Sequence, residues 1–160
     1  MAQKKTALVV GLGLIGGSVA MALRGFENYR VVGTDCSSQT RSYAAAHGVC
    51  DEVAERVEDV LGQADVVLFA MRPHGIAQQI EAFRDSFKPG ALVTDVGGIK
   101  GAIMEAAQCL PDTVDFIGCH PMAGKEKLSY GTQLSVLKKK VVWYSILAIT
   151  LINGALFGFF

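Results

Sequence analysis

The sequence predicts an α/β fold built on a doubly wound, mostly parallel β-sheet, followed by an anomalous apolar segment at the C-terminus. Short apolar runs bounded by glycine or aspartate are typical of strands buried on both faces. Stretches with helical patterning separate these runs, as in parallel sheets. Residues 141–160 hold no charged side chain. The 160 residues therefore provide one ordinary domain and a short appendage.

The first half of the chain predicts a complete βαβ unit. Residues 6–10 are continuously apolar, and the small and apolar residues from 14 to 26 are dense enough for a helix that packs on the sheet. A second strand covers residues 30–34. A serine-capped helix follows, runs to about residue 47 and stops at the next glycine.

The second half continues the alternation of helices and strands. A proline at the first helical position and a Lys-Pro-Gly turn mark two of the element ends. In chain order we predict a helix at residues 57–61, a strand at 65–70, a helix at 73–87, a strand at 91–94, a helix at 99–109 and a strand at 115–118.

Composition excludes several classes of protein. The 15 basic and 15 acidic residues cancel, so the chain has no positive field to hold nucleic acid. With 51% hydrophobic and 19% charged residues the chain can bury a core, which disordered chains cannot do. The four cysteines form no C-x-x-C pair and no zinc set, which predicts reduced thiols and no metal. Glycines break the first apolar stretch, so no signal peptide is predicted and we expect a cytoplasmic protein.

A glycine-rich loop directly follows the first predicted strand and opens the first helix. Its G-x-G-x-x-G spacing in this setting predicts a Rossmann-type dinucleotide-binding site, with the pyrophosphate at the helix N-terminus. The residues predicted to hold the cofactor here are Gly11, Leu12, Gly13, Leu14, Ile15 and Gly16. The plainer alternative is that the glycines only make a tight turn.

The second predicted strand ends at Asp35, which stands 19 positions after Gly16. A carboxylate there can accept hydrogen bonds from both ribose hydroxyls and repels a 2′-phosphate, so NAD is favoured over NADP. Arg41 can reach back toward this position if the loop folds so, which keeps NADP possible. The alternative is that Asp35 only caps the next helix.

Two further segments follow predicted strands and carry groups suited to a substrate. Residues 95–100 place backbone N–H groups and Lys100 at the carboxyl edge of the sheet, where such folds bind ligands. His120 follows the last strand, and its imidazole can accept a proton from a substrate hydroxyl as hydride leaves the same carbon. His120 before a proline is also compatible with a plain strand end.

The chain resembles the prephenate and arogenate dehydrogenases of tyrosine biosynthesis over residues 6–134. The matching stretches are GLGLIGGS at 11–18, DVGGIKGAI at 95–103 and GCHPMAGKEKLSYG at 118–131. This resemblance implies an NAD(P)-dependent oxidative decarboxylation of prephenate to 4-hydroxyphenylpyruvate. It also implies that His120 binds the ring hydroxyl and draws its proton.

The same resemblance assigns roles to the segment after the fifth predicted strand. It implies that Gly97 lines the cofactor and that Gly98 and Lys100 contact the substrate, with positive charge from residues 125–127. Many family members have D-x-G-S-x-K, and here Gly98 replaces the serine, so a hydroxyl donor is missing.

The resemblance further implies a second, helical domain that forms the dimer, closes the active site and supplies an arginine to the substrate. The match fades near residue 134, so we expect a dinucleotide-binding domain at residues 1–137 and an incomplete prephenate or arogenate site in this chain alone. A catalytically silent NAD-binding module is the alternative from another class.

Residues 138–160 begin with three lysines and continue as an uncharged apolar tail. Three alternatives remain open for this tail. It is the product of a reading frame lost at a run of adenines, a membrane anchor with a lysine flank, or a hydrophobic helix at an interface between subunits. Only the second alternative makes a membrane the partner of this chain.

Overall fold

A computed structural model describes residues 4–26 and 29–121, and all structural statements below concern these residues. The described residues form one sheet and the helices that cover it. In chain order the elements are β1 (Lys5–Val10), α1 (Leu14–Leu23), β2 (Tyr29–Thr34), α2 (Ser38–Ala46), β3 (Glu52–Val53), α3 (Glu58–Leu61), β4 (Val66–Phe69), α4 (Pro73–Phe83), β5 (Leu92–Asp95), α5 (Gly101–Ala107) and β6 (Asp115–Gly118).

All neighbouring strands in the sheet are parallel, in the order β3-β2-β1-β4-β5-β6. The chain builds outward from β1 through β2 to β3, and then returns to the other side of β1 to place β4, β5 and β6. The sheet therefore changes its direction of growth between β1 and β4, and ligands of such folds bind at the carboxyl ends of the strands beside that point. The predicted Rossmann-type, doubly wound sheet is confirmed.

Successive side chains of β1 point to opposite faces of the sheet and are buried on both. Leu8 and Val10 point into one hydrophobic cluster, which also contains Phe69, whereas Val9 points into the other with Leu12. Leu8 and Val9 are fully buried. The first predicted strand is apolar throughout because helices cover both of its faces.

The structure corrects the predicted elements at their ends and adds one strand. β3 is only two residues long and pairs Glu52 with Val32, so its sequence carries no apolar run. α5 begins at Gly101 rather than at residue 99, because side-chain hydrogen bonds within residues 95–100 hold that segment as a loop. α1 and α4 end at Leu23 and Phe83, earlier than predicted.

The described residues bear on the predictions about the membrane, metals, cysteines and the domain boundary. Among the described residues, no helix is long and apolar enough to cross a membrane, and no group of three or more His, Cys, Asp or Glu side chains can hold a metal. All four cysteines are free thiols, and burial raises the pKa of the Cys50 thiol. One compact unit extends to His120. The predictions for residues 125–127, the boundary at 137 and the apolar tail lie outside the described residues.

Candidate active site

The glycine-rich loop turns sharply where β1 ends beside β4. Gly11 has a φ of +96°, and a Cβ at this position would lie 2.5 Å from the Ala70 carbonyl oxygen. The Gly11 N–H donates to the Thr34 carbonyl of β2 at 2.8 Å. Only glycine satisfies this backbone conformation and this closeness, so the first glycine of the motif fixes the loop between three strand ends.

The two other glycines of the motif have different surroundings. A Cβ on Gly16 would lie 1.8 Å from the Gly11 carbonyl oxygen, so Gly16 lets α1 pack directly on the loop. A Cβ on Gly13 would meet no atom of the described residues within 4 Å. Packing within the described residues therefore does not require glycine at position 13, and the missing side chain leaves room for a ligand to approach the backbone closely.

The N-terminus of α1 is open and has no side-chain cap among the described residues. Gly13 precedes the helix, and Leu14 and Ile15 in its first turn are 38% and 47% exposed. The free N–H groups and the helix dipole favour a negatively charged group at this end. The open Gly13 position and the uncapped helix together fit the pyrophosphate of a dinucleotide.

Asp35 follows β2 and is hydrogen-bonded to the glycine-rich loop. Its Oδ2 accepts the Leu12 N–H at 2.8 Å, and its Oδ1 accepts the Ser37 N–H at 2.9 Å. Arg41 reaches back, as the sequence allowed, and its Nη1 donates to the Asp35 carbonyl at 2.6 Å. The carboxylate thus braces the loop, and the oxygens keep further lone pairs for ribose hydroxyls.

His120 lies at the carboxyl edge of the sheet after β6 and is exposed. Its imidazole is packed beside Gly98, where a Cβ would lie 3.3 Å from Nε2. Cys119 turns elsewhere, because its Sγ lies 3.4 Å from the Thr94 hydroxyl. The structure therefore brings together His120 and Gly98, two of the predicted site residues, on the loops after β5 and β6.

Asp95 and Lys100 form an ion pair beneath these loops. Asp95 is fully buried, and its Oδ2 accepts the Lys100 Nζ at 2.6 Å and the Gly97 N–H at 2.7 Å. Lys100 Nζ also donates to the Cys119 carbonyl. Two of the three ammonium protons of Lys100 are thus used in these two contacts. Gly97 is buried, where a Cβ would lie 2.7 Å from Ile103.

Reasoning from the sequence did not find the hydrogen bonds made by Thr94 and Asp95. The Thr94 hydroxyl donates to the Ile117 carbonyl at 2.7 Å, and the Asp95 carboxylate is buried at a strand end. The available signal was the spacing of Asp95 and Lys100 around two glycines, which brings the ammonium back to the carboxylate. The position of Cys119 depends on strand pairing and carries no local signal.

A glycine-rich loop, an uncapped helix and a carboxylate at the next strand end define a dinucleotide-binding α/β domain. The family model described as "Prephenate dehydrogenase, nucleotide-binding domain" matches residues 19–142. The chain belongs to this family, which confirms the resemblance seen in the sequence motifs.

Individual relatives agree with this assignment. The chain is 35% identical over 128 residues to a prephenate dehydrogenase of Bacillus subtilis (strain 168). This alignment covers 78% of this chain and 34% of that protein. It is similar in structure to prephenate dehydrogenase from A. aeolicus in complex with hydroxyphenyl propionate and NAD+, with a TM-score of 0.69, 28% identity, and coverage of 79% of this chain and 44% of that one. Synechocystis arogenate dehydrogenase gives a TM-score of 0.67 and 32% identity over 76% of this chain and 42% of that one.

The match is confined to one part of these relatives. The chain spans about a third of the length of the first curated relatives it matches, 34% of one and 35% of the other. What is shared is the nucleotide-binding domain.

Proposed function

We propose that this chain is the dinucleotide-binding part of an NAD-dependent oxidoreductase that converts prephenate to 4-hydroxyphenylpyruvate by oxidative decarboxylation. The observation that carries the proposal is one shared edge of the sheet. The open glycine-rich loop with Asp35 and the exposed His120 beside Gly98 all follow carboxyl ends of parallel strands. The family and the named relatives support this chemistry.

The cofactor half of the proposed site lies on β1, β2 and the start of α1. The proposed cofactor-binding residues are Gly11, Leu12, Gly13, Leu14, Ile15, Gly16, Asp35 and Gly97. Asp35 favours NAD because a 2′-phosphate placed beside its carboxylate would be repelled. Arg41 lies close enough to Asp35 to attract such a phosphate, so discrimination against NADP depends mainly on the charge of Asp35.

The substrate half of the proposed site lies on the loops after β5 and β6. Bound NAD+ supplies the hydride acceptor. We propose that His120 hydrogen-bonds the ring hydroxyl of the substrate and accepts its proton as hydride leaves the same carbon. Gly98 leaves room for the imidazole, and the third ammonium proton of Lys100 adds positive charge toward a carboxylate of the substrate.

The proton on His120 returns within the same turnover. Loss of the ring carboxylate as carbon dioxide leaves its electron pair in the ring, which becomes a phenolate as it aromatises. That oxygen then takes the proton back from His120, so hydride and carbon dioxide are the net losses from the substrate. Because aromatisation drives the reaction, the residues of this chain mainly hold and orient the reactants.

Absorbance at 340 nm tests the proposal when the purified chain is mixed with NAD+ and either prephenate or arogenate. Because the site in this chain alone is expected to be incomplete, we expect slow formation of NADH that requires prephenate and falls at least ~100-fold in His120→Asn, a loss within the usual range for a general base. Turnover with arogenate alone would reassign the substrate. Binding of NAD+ without turnover of either compound would contradict the enzymatic proposal and favour the silent NAD-binding module.

A further inference from the structure

The pairing of β5 and β6 ends one residue before the segment that carries His120. The last paired residues are Asp95 and Gly118, and Cys119 is the next residue along the chain. The Cys119 N–H lies 3.4 Å from Asp95 Oδ1, and the Cys119 carbonyl accepts from Lys100 Nζ. The side chains of Asp95 and Lys100 therefore contact the backbone of Cys119, one residue beyond the last backbone pairing of β5 and β6.

Burial gives this side-chain pairing its strength. Asp95 is fully buried, whereas the side chain of Lys100 is 30% exposed, so the carboxylate depends on the ammonium for compensation of its charge. The Gly97 N–H donates a second hydrogen bond to the same oxygen of the Asp95 carboxylate. The Thr94 hydroxyl adds a further hydrogen bond between the two strands, to the carbonyl of Ile117.

We propose that Asp95 and Lys100 are positioning residues that hold the imidazole of His120 against Gly98. Asp95 contacts the N–H of Cys119, and Lys100 contacts its carbonyl, directly before His120. Gly98 belongs to the short loop that joins Asp95 to Lys100. The same ion pair thus fixes the imidazole and the surface on which it lies. The inference rests on the proposed function in one respect, the use of His120 as the proton acceptor.

The chain offers a matched control for this ion pair. Lys88 and Asp65 form a second Lys–Asp pair, 2.5 Å apart, whose carboxylate also accepts a backbone N–H, that of Thr6. Asp65 precedes β4 and so lies at the amino edge of the sheet, opposite to His120. Lys100→Met and Lys88→Met therefore remove equivalent charges at opposite edges.

Nuclear magnetic resonance of the full chain with 13C-labelled histidine measures the position of His120 without any turnover. His47 and His74 act as internal references, and His120→Asn assigns the third signal. In Lys100→Met we expect the His120 13Cε1 signal to shift and broaden, and Lys100→Arg to restore most of the parent spectrum. In Lys88→Met all three signals should stay in place. An unchanged His120 signal in folded Lys100→Met would overturn the proposal.

A double variant covers the case in which Lys100→Met does not fold because Asp95 is left buried without its partner. Asp95→Asn combined with Lys100→Met removes both charges, and replacing both members of a buried pair is often close to neutral for stability. We expect this variant to fold and to show the displaced His120 signal. If it folds with the parent His120 signal, the ion pair does not hold the imidazole and the proposal is wrong. If it fails to fold, the ion pair supports the domain as a whole and the proposal is also wrong.

Kinetics separate this proposal from the proposed function. In Lys100→Met, we expect kcat with prephenate to fall ~10–100-fold with the KM for NAD+ within twofold of the parent, because small misplacements of a reacting group cost rates of this size. Absence of turnover in the parent chain would contradict the proposed function and leave the spectroscopic test intact. A Lys100→Met variant that raises only the KM for prephenate would limit Lys100 to the proposed contact with the substrate and would contradict its role in positioning His120.

Discussion

Gly13 and Gly16 belong to one glycine motif, but their surroundings in the structure differ. A Cβ on Gly16 collides with the Gly11 carbonyl, whereas a Cβ on Gly13 meets no atom of the described residues. Gly13→Ala should therefore leave the melting temperature within ~1 °C and weaken NAD+ binding at least ~10-fold, about 1.4 kcal/mol. Calorimetric titration and thermal melting measure the two quantities on the same samples.

Two further variants frame this prediction. Gly16→Ala should lower the free energy of unfolding by about 1–3 kcal/mol, as overpacking does, in addition to weakening NAD+ binding. Gly62→Ala, at a position where a Cβ makes only an ordinary contact with Ser86, should change neither quantity. Normal NAD+ affinity in Gly13→Ala would mean that the pyrophosphate does not bind at this loop.

Asp35 combines two tasks that a substitution can separate. Asp35→Asn keeps an oxygen for the Leu12 N–H and removes the negative charge beside the ribose position. We expect the ratio of NAD+ to NADP+ affinity to fall by at least ~10-fold, because the repulsion of a 2′-phosphate disappears. Adding Arg41→Ala should cancel the gain in NADP+ affinity, since Arg41 places a cation beside Asp35. Fluorescence titrations with both reduced cofactors decide the matter, and an unchanged ratio would assign cofactor choice to other residues.

Among the elements, two strands each donate a backbone N–H near their start to a carboxylate at the amino edge of the sheet. Asp65 Oδ2 accepts the Thr6 N–H at the start of β1, and Asp51 Oδ2 accepts the Val31 N–H in β2, both at 2.8 Å. For Asp51 the Val31 N–H is the largest cause of a lowered pKa. For Asp65 burial alone would raise the pKa, but Lys88 and the Thr6 N–H together lower it.

The lowered pKa values of Asp51 and Asp65 predict a loss of stability in acid. Because each folded-state pKa lies below the unfolded value of about 3.9, their contribution is fully present above that pH and is lost as pH falls through the folded values. Asp65→Asn should reduce the free energy of unfolding at pH 7 and converge with the parent as pH falls from 7 through the lowered folded-state pKa. Urea unfolding across this range measures the effect, with Asp112→Asn, at an exposed position, as control. A constant difference between parent and variant at every pH would contradict the assignment.

Regular elements could be predicted from the sequence to the extent that burial shapes their composition. β1, β2, β4 and β5 are apolar because helices cover both faces, and these strands were found to within a residue or two. β3 escaped prediction because its two residues are held by pairing with β2 rather than by burial. The late start of α5 depends on the buried carboxylate of Asp95, which hydrogen-bonds Gly97 and Lys100 and also receives the distant Cys119 N–H, and no apolar pattern marks these contacts.

The candidate site divides in the same way. Gly11, Gly13 and Gly16 could be identified from their spacing after a strand, and the structure restricts positions 11 and 16 to glycine while it leaves position 13 open. His120 could be singled out by its motif, but its packing on Gly98 could not be predicted, since it depends on how two strand ends pair. The second use of Asp35, as a brace for the loop, likewise appears only when β1 and β2 lie side by side.

At the scale of the whole domain, the sheet separates binding from chemistry. Groups that fit the phosphates and a ribose lie on β1, β2 and α1, whereas His120 follows β6 at the far side of β4 and β5. A ligand that binds only the folded state stabilises it by about 2.7 kcal/mol at 100 times its dissociation constant. ADP-ribose, which lacks the nicotinamide ring, should therefore raise the melting temperature nearly as much as NAD+ when both are compared at the same concentration.

His120→Ala completes the test of this division. We expect its dissociation constant for NAD+ to stay within twofold of the parent while prephenate-dependent NADH formation is lost, and Gly13→Ala to show weakened binding of NAD+ and ADP-ribose alike. Thermal melting with each ligand and absorbance at 340 nm supply both readouts from one preparation. If His120→Ala loses NAD+ affinity as severely as Gly13→Ala, the imidazole belongs to the cofactor site, and the separation of the two halves across β4 and β5 is wrong.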